Sequence, residues 1–127
     1  MQELTKSEEQ IMQILWKLEK GFVKDIVELF PDPKPAYNTV STIVRILEDK
    51  QFIGHTAFGK THEYFPLVAK TSYTKTYLKK FTKNYFSGSY RQMVSFLSEE
   101  EELSVDEMEK LMKEMDTMIK NKKVKNV

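Results

Sequence analysis

The sequence has no cysteine, and that absence removes disulfides, thiolate metal sites and cysteine nucleophiles together. Histidine is nearly as scarce. His55 and His62 are too few for a self-contained zinc site without carboxylates, and both read as surface or packing residues. No apolar run approaches the roughly 18 residues that a membrane helix needs, and the opening MQELTKSEEQ is polar and acidic where a secretory leader would be basic and then apolar. The expectation is therefore a cytoplasmic protein without membrane insertion. The nucleophile elbow, phosphate loop and HExxH pattern are missing too, so the sequence points away from an enzyme and calls for no cofactor and no metal.

A large excess of charge is also lacking, since the whole chain carries only +1. Its distribution says more than its sum. Residues 1–66 hold 8 basic and 10 acidic side chains, residues 67–98 hold 6 basic and none acidic, and residues 99–127 hold 6 basic and 9 acidic. A chain of 127 residues with 40% hydrophobic content suits one modest globular domain or two small ones.

What is there is led by the stretch Ala36 to Phe52, AYNTVSTIVRILEDKQF. At the helical pitch, Val40, Ile43, Val44 and Leu47 fall on one side, and Asn38, Ser41, Thr42 and Arg45 on the other. Solvated helix faces favour Glu, Lys and Gln, which keep helix propensity high. Short Asn, Thr and Ser side chains instead suit close approach to a surface and hydrogen bonding with base edges or phosphates. The candidate DNA contacts are Asn38, Thr39, Ser41 and Thr42 toward bases, and Arg45 toward phosphate or base.

Two helices precede that stretch. Thr5 to Leu18 carries Ile11, Ile14, Leu15 and Leu18 in one stripe, a capping box at Thr5 and Glu8, and Trp16 off the stripe for a neighbouring element. Gly21 is the expected positive-φ terminator. A short helix from Val23 to Phe30 then meets PDPKP, whose three prolines end it. After the third helix, two β-favouring runs, Phe52 to Ala57 and Thr61 to Phe65, meet at Phe58-Gly59-Lys60 and predict a hairpin. Helix, helix, turn, helix, hairpin is the order of a winged helix-turn-helix. Lys60 at the hairpin tip joins the candidate DNA contacts, and Lys70 and Lys75 lie next along the chain.

From Ala69 onward the pattern is helical again. Tyr73, Tyr77, Phe81 and Tyr85 form one stripe, Met93, Val94 and Leu97 a second, and Met108, Leu111, Met112 and Met115 a third behind a capping box at Ser104 and Glu107. Three short helices this amphipathic have more apolar face than they can bury among themselves, and a second copy is the simplest cover. The candidate dimerisation residues are Tyr77, Phe81, Met93, Leu97, Met108, Leu111, Met112 and Met115. The expected fold is mainly α with a small β-wing. A winged helix-turn-helix over 1–68 is followed by a helical dimerisation domain over 69–127.

LTKSEEQIMQILWK, TVSTIVRILEDKQFI, HEYFPLV and FSGSYRQMVSFL together resemble the penicillinase and methicillin-resistance repressor family. The resemblance implies a homodimeric repressor that binds double-stranded DNA at an inverted repeat with TACA-like half-sites. It also implies base reading by Asn38, Thr39, Ser41 and Thr42. Several relatives carry a long basic residue where this chain has Ser41. Family members that govern β-lactam resistance are cut at an Asn-Phe bond downstream of a membrane sensor; the matching place here is Ser95-Phe96, which lacks the asparagine. Copper-responsive relatives use C-terminal cysteines, which this chain does not have. A winged-helix protein-interaction module that no longer touches DNA is the alternative, favoured by the acidic N-terminal half.

Overall fold

The computed structural model describes residues 2–100 and 104–125, with the backbone alone at positions 112, 115, 118, 119 and 123–125. Six helices and one hairpin follow in the order α1 (Lys6–Leu18), α2 (Val23–Glu28), α3 (Tyr37–Asp49), β1 (Ile53–Phe58), β2 (Thr61–Pro66), α4 (Lys70–Phe86), α5 (Tyr90–Glu99) and α6 (Val105–Lys125). The chain is mainly helical, with a two-stranded wing after its third helix: a winged helix-turn-helix followed by further helices. It forms two compact units, one ending at Leu78 and the other starting at Lys79.

In the first unit, α1 starts where its capping box demands. The Thr5 hydroxyl accepts from the Glu8 backbone N–H at 3.2 Å, and the Glu8 carboxylate accepts from the Thr5 N–H at 2.8 Å. Ile11, Met12 and Leu15 are fully buried from α1, joined by Ile26 from α2 and by Val40, Val44 and Leu47 from α3. Ile43 and Ile14 pack against this core from its edge. Met12 lies outside the apolar stripe expected for α1, because α1 is covered on more than one side and its buried sector is wider than a single stripe.

Trp16 uses that same second side. Its indole N–H donates to the Val68 carbonyl at 2.8 Å, and its ring sits 5.9 Å from that of Tyr73 in α4. Tyr73 is buried at 6% exposure, and its hydroxyl accepts from the Leu4 N–H at 3.3 Å. The first turn of α4 is thus part of the winged-helix core.

The end of α1 departs from expectation. Glu19, not Gly21, takes the positive φ of 71°, and its N–H closes on the Leu15 carbonyl at 2.7 Å. Gly21 serves the wing instead. Its N–H and carbonyl exchange hydrogen bonds with Tyr64 at 2.9 and 2.8 Å, and a Cβ there would stand 3.1 Å from the Leu18 side chain. A two-stranded hairpin is marginal alone, and this bridge ties it to the α1–α2 turn. Within the hairpin the antiparallel register pairs Ile53 with Pro66 and Phe58 with Thr61, with Gly59 at φ 63° in the tip. Phe52 and Ile53 root it in the core.

In the second unit, α5 is capped by Ser89, whose hydroxyl accepts from the Gln92 N–H, and α6 by Ser104, whose hydroxyl accepts from the Glu107 N–H at 3.1 Å. Phe81 packs on Tyr85 and Phe86 at ring distances of 4.9 and 6.1 Å, and Phe86 on Phe96 at 5.7 Å. No residue of α5 is buried.

Candidate nucleic-acid interface

The third helix has no residue of its own to cap it: Ala36 precedes it and offers no side-chain hydrogen bond. Its first turn therefore leaves backbone N–H groups unpaired by a cap, beside side chains that are mostly polar and exposed. Asn38, Thr39 and Thr42 are exposed, Ser41 is half-buried and Arg45 is exposed. The core takes the opposite side through Val40, Val44 and Leu47. Thus the division of this helix into a packed and an outward face, expected from periodicity, is the one the chain adopts.

The wing turns that outward face into one wall of a groove. Phe22, Lys24, Asp25, Tyr37, Ser41, Arg45, Lys60, Thr61, His62 and Tyr64 line a cleft of about 570 Å³ between the start of α2, α3 and the hairpin. Of the sequence candidates, Ser41, Arg45 and Lys60 meet in this groove. Asn38, Thr39 and Thr42 belong to the same helix but lie outside its lining. Thr42 differs from the others in one respect. Its hydroxyl donates to the Asn38 carbonyl one turn back at 2.9 Å, so its proton is already spent and it can only accept, or touch through its methyl group.

Charge in the groove is the reverse of charge in the segment that builds it. Lys24, Arg45 and Lys60 have no ion pair among the described residues, whereas the nearby carboxylate of Asp25 is engaged by the Phe22 N–H at 3.0 Å. Two other acidic side chains of the first unit are engaged outside the cleft. Glu48 contacts the His55 ring on the wing, and Glu8 is buried and bonded to the Lys50 ammonium at 2.8 Å. Burial alone would push the Glu8 carboxyl up. The Lys50 hydrogen bond, the two Thr5 hydrogen bonds and the Lys50 charge outweigh it and hold the carboxyl below its ordinary value. A segment with more acids than bases therefore presents a basic cleft.

The wing side of the groove is stiffened by rings. His55 and His62 stack at 4.0 Å, and both meet Tyr64 nearly edge-on at 5.8 and 6.1 Å. Burial, and then the Glu48 charge, push the Tyr64 phenol above its ordinary value and keep it neutral. The histidines are packing partners here, and among the described residues no cluster of three potential metal ligands occurs. Lys34 is diverted as well, since its ammonium caps the end of α2 through the Glu28 and Phe30 carbonyls at 2.7 and 2.9 Å.

Tyr37 and Lys24 are among the groove residues not singled out by sequence. Tyr37 shares a helical row with Ser41 and Arg45 at spacings of four and eight, a signal that was available. Lys24 is brought in by the packing of α2 beside the wing, which no local pattern encodes.

The candidate dimerisation residues are split between the units. Tyr77 is 43% exposed in the first. Phe81, Met93, Leu97, Met108 and Leu111 are half-buried in the second, where the Met93 sulfur accepts from the Thr82 hydroxyl at 3.9 Å and the Met108 sulfur from the Ser98 hydroxyl at 3.2 Å. Met112 and Met115 lie outside the described side chains. The expected cleavage pair, Ser95 and Phe96, is exposed but sits in the middle of α5.

Residues 4–117 match the family described as penicillinase repressor. The chain is similar to the methicillin resistance regulatory protein MecI of Staphylococcus aureus, with 28% identity over 110 residues that span 86% of this chain and 89% of that protein. The protein of the same name from Mammaliicoccus sciuri is 28% identical over 112 residues. Among solved structures, the DNA-binding domain of the repressor BlaI aligns with a TM-score of 0.49 and 21% identity, covering 56% of this chain and 88% of that one. The CopR repressor aligns with a TM-score of 0.44 and 24% identity over 53% of this chain and 99% of that one.

Proposed function

Because this chain belongs to the penicillinase repressor family, a family of DNA-binding winged-helix transcriptional repressors, we propose that it represses transcription as a homodimer on an inverted repeat with TACA-type half-sites. The observation that carries the reading is the basic groove, in which the outward row of α3 and the wing tip face the same cleft with three unpaired cations. In this arrangement α3 enters the major groove, and Asn38, Thr39 and Ser41 reach base edges from its first turns. Thr42 takes part through its methyl group and as an acceptor. Arg45 and Lys60 meet phosphates and fix the register, which contributes affinity without sequence information.

Two such helices, one per subunit, would lie about 34 Å apart in successive major grooves. The helical region 69–127 carries the dimer contacts in this reading. Release by proteolysis at Ser95-Phe96 requires α5 to unwind locally, because a protease binds its substrate extended and this bond is mid-helix.

The test is a fluorescence-anisotropy titration of the full chain against a TACA-type palindrome and a scrambled duplex of equal length, at two salt concentrations. The expected result is salt-sensitive binding with a clear preference for the palindrome. Lys60→Ala is expected to weaken both duplexes alike and to reduce the salt slope by about one. Salt-indifferent retention of a protein partner, with no DNA binding at low ionic strength, would support the interaction-module reading instead.

A further inference from the structure

Tyr37 opens α3 with 56% of its surface exposed, and its hydroxyl has no hydrogen-bond partner among the described residues. The core makes no use of it. It heads the row continued by Ser41 and Arg45 and lines the groove with Lys60 and His62. The other exposed side chains in the first turn of α3, Asn38 and Thr39, are short and polar, so Tyr37 offers the extended apolar surface on that part of the reading face. In the major groove the apolar feature available to such a surface is the C5-methyl group of thymine. Residues at the start of a recognition helix are those that reach base edges.

We propose that Tyr37 is a specificity-determining residue that reads a thymine by packing its ring against the C5-methyl group. The inference rests on the repressor reading above and adds to it a named contact and a named base. The phenol oxygen lies at the far end of the ring and is free for a phosphate or a water. The methyl contact therefore needs the ring and not the hydroxyl. Two different substitutions follow: Tyr37→Phe keeps the contact, and Tyr37→Ala removes it.

The experiment replaces thymines of the TACA-type palindrome by deoxyuridine, one position at a time in both half-sites, which keeps base pairing and deletes only the methyl group. Anisotropy titrations of the full-length wild type are expected to lose about fourfold in affinity per half-site methyl at one position, the effect of exposing one methyl-sized contact. Tyr37→Ala should bind the thymine duplex more weakly and show no penalty at that position, while Tyr37→Phe should retain it. A wild type indifferent to deoxyuridine everywhere overturns the inference without any variant having to fold. So does Tyr37→Ala that keeps the wild-type penalty. If the wild type does not prefer the palindrome over the scrambled duplex, the operator reading falls and this inference with it. A retained preference with a flat deoxyuridine scan removes the inference alone.

Discussion

The two units of this chain bury their apolar side chains to very different extents. In the first, thirteen hydrophobic residues from Leu4 to Tyr73 form one buried core. In the second, Thr82 is the buried residue among those described, and Tyr85, Tyr90, Phe96 and Val105 are 72%, 51%, 49% and 71% exposed. The first unit closes its core by itself because α2, α3, the wing and the first turn of α4 pack around α1, which is buried on more than one side. The second consists of three helices with apolar stripes and, among the described residues, no fourth element to cover them. Exposed aromatic rings in such a unit are what a second copy would bury, which supports the proposed division of reading and assembly between the two units.

The sharpest way to break that contrast is a cavity in the closed core. Leu15→Ala should cost about 2–5 kcal/mol, read by chemical denaturation, since Leu15 is fully buried. A loss under 1 kcal/mol would mean that the core is looser than its burial indicates. In the second unit the same kind of truncation should act on assembly. Phe96→Ala is expected to weaken self-association by about 1.5–3 kcal/mol for each ring it removes from an interface, seen in sedimentation as a shift toward monomer at low concentration. Unchanged association would place the interface on another face.

Acid sharpens the comparison through Glu8, a buried carboxylate in the first unit. A carboxyl held below its ordinary value of 4.5 stabilises the fold fully above that value and loses its contribution as pH falls through the lowered folded value. Wild-type stability should therefore drop on acidification in that window. Glu8→Gln should be about 1–3 kcal/mol less stable at neutral pH, with a flatter acid limb. Equal acid limbs in the two proteins would remove Glu8 as the cause. The smallest effect expected is that of Trp16→Phe, which deletes the indole donor to Val68 and keeps most of the ring. It should cost about 1 kcal/mol, measured by thermal unfolding.

Much of the fold was legible because it is written in local terms. The Thr5 and Glu8 cap, the stripe of α3 and the Gly59 tip are each set within a few residues, and each forms where the pattern puts it, whereas α2 ends at Glu28, two residues short of the expected Phe30. Gly21 was legible only as a glycine. Its pairing with Tyr64 involves a strand more than forty residues away, while the positive φ belongs to Glu19. Likewise Met12 lies off the apolar stripe read from α1 alone and is fully buried because α1 is covered on two sides.

The candidate site divides in the same way. Periodicity by itself determined which side of α3 faces out, because the helical pitch fixes the side of every residue once the apolar stripe is known. Only the tertiary structure decided which of those residues share a groove with Lys60 and Lys24, and that Glu48 and Glu8 are occupied away from the cleft. Net charge is a sum over sequence, whereas the field a ligand meets depends on which charges are paired and which way they point. That is why an acidic segment can fold into a basic groove.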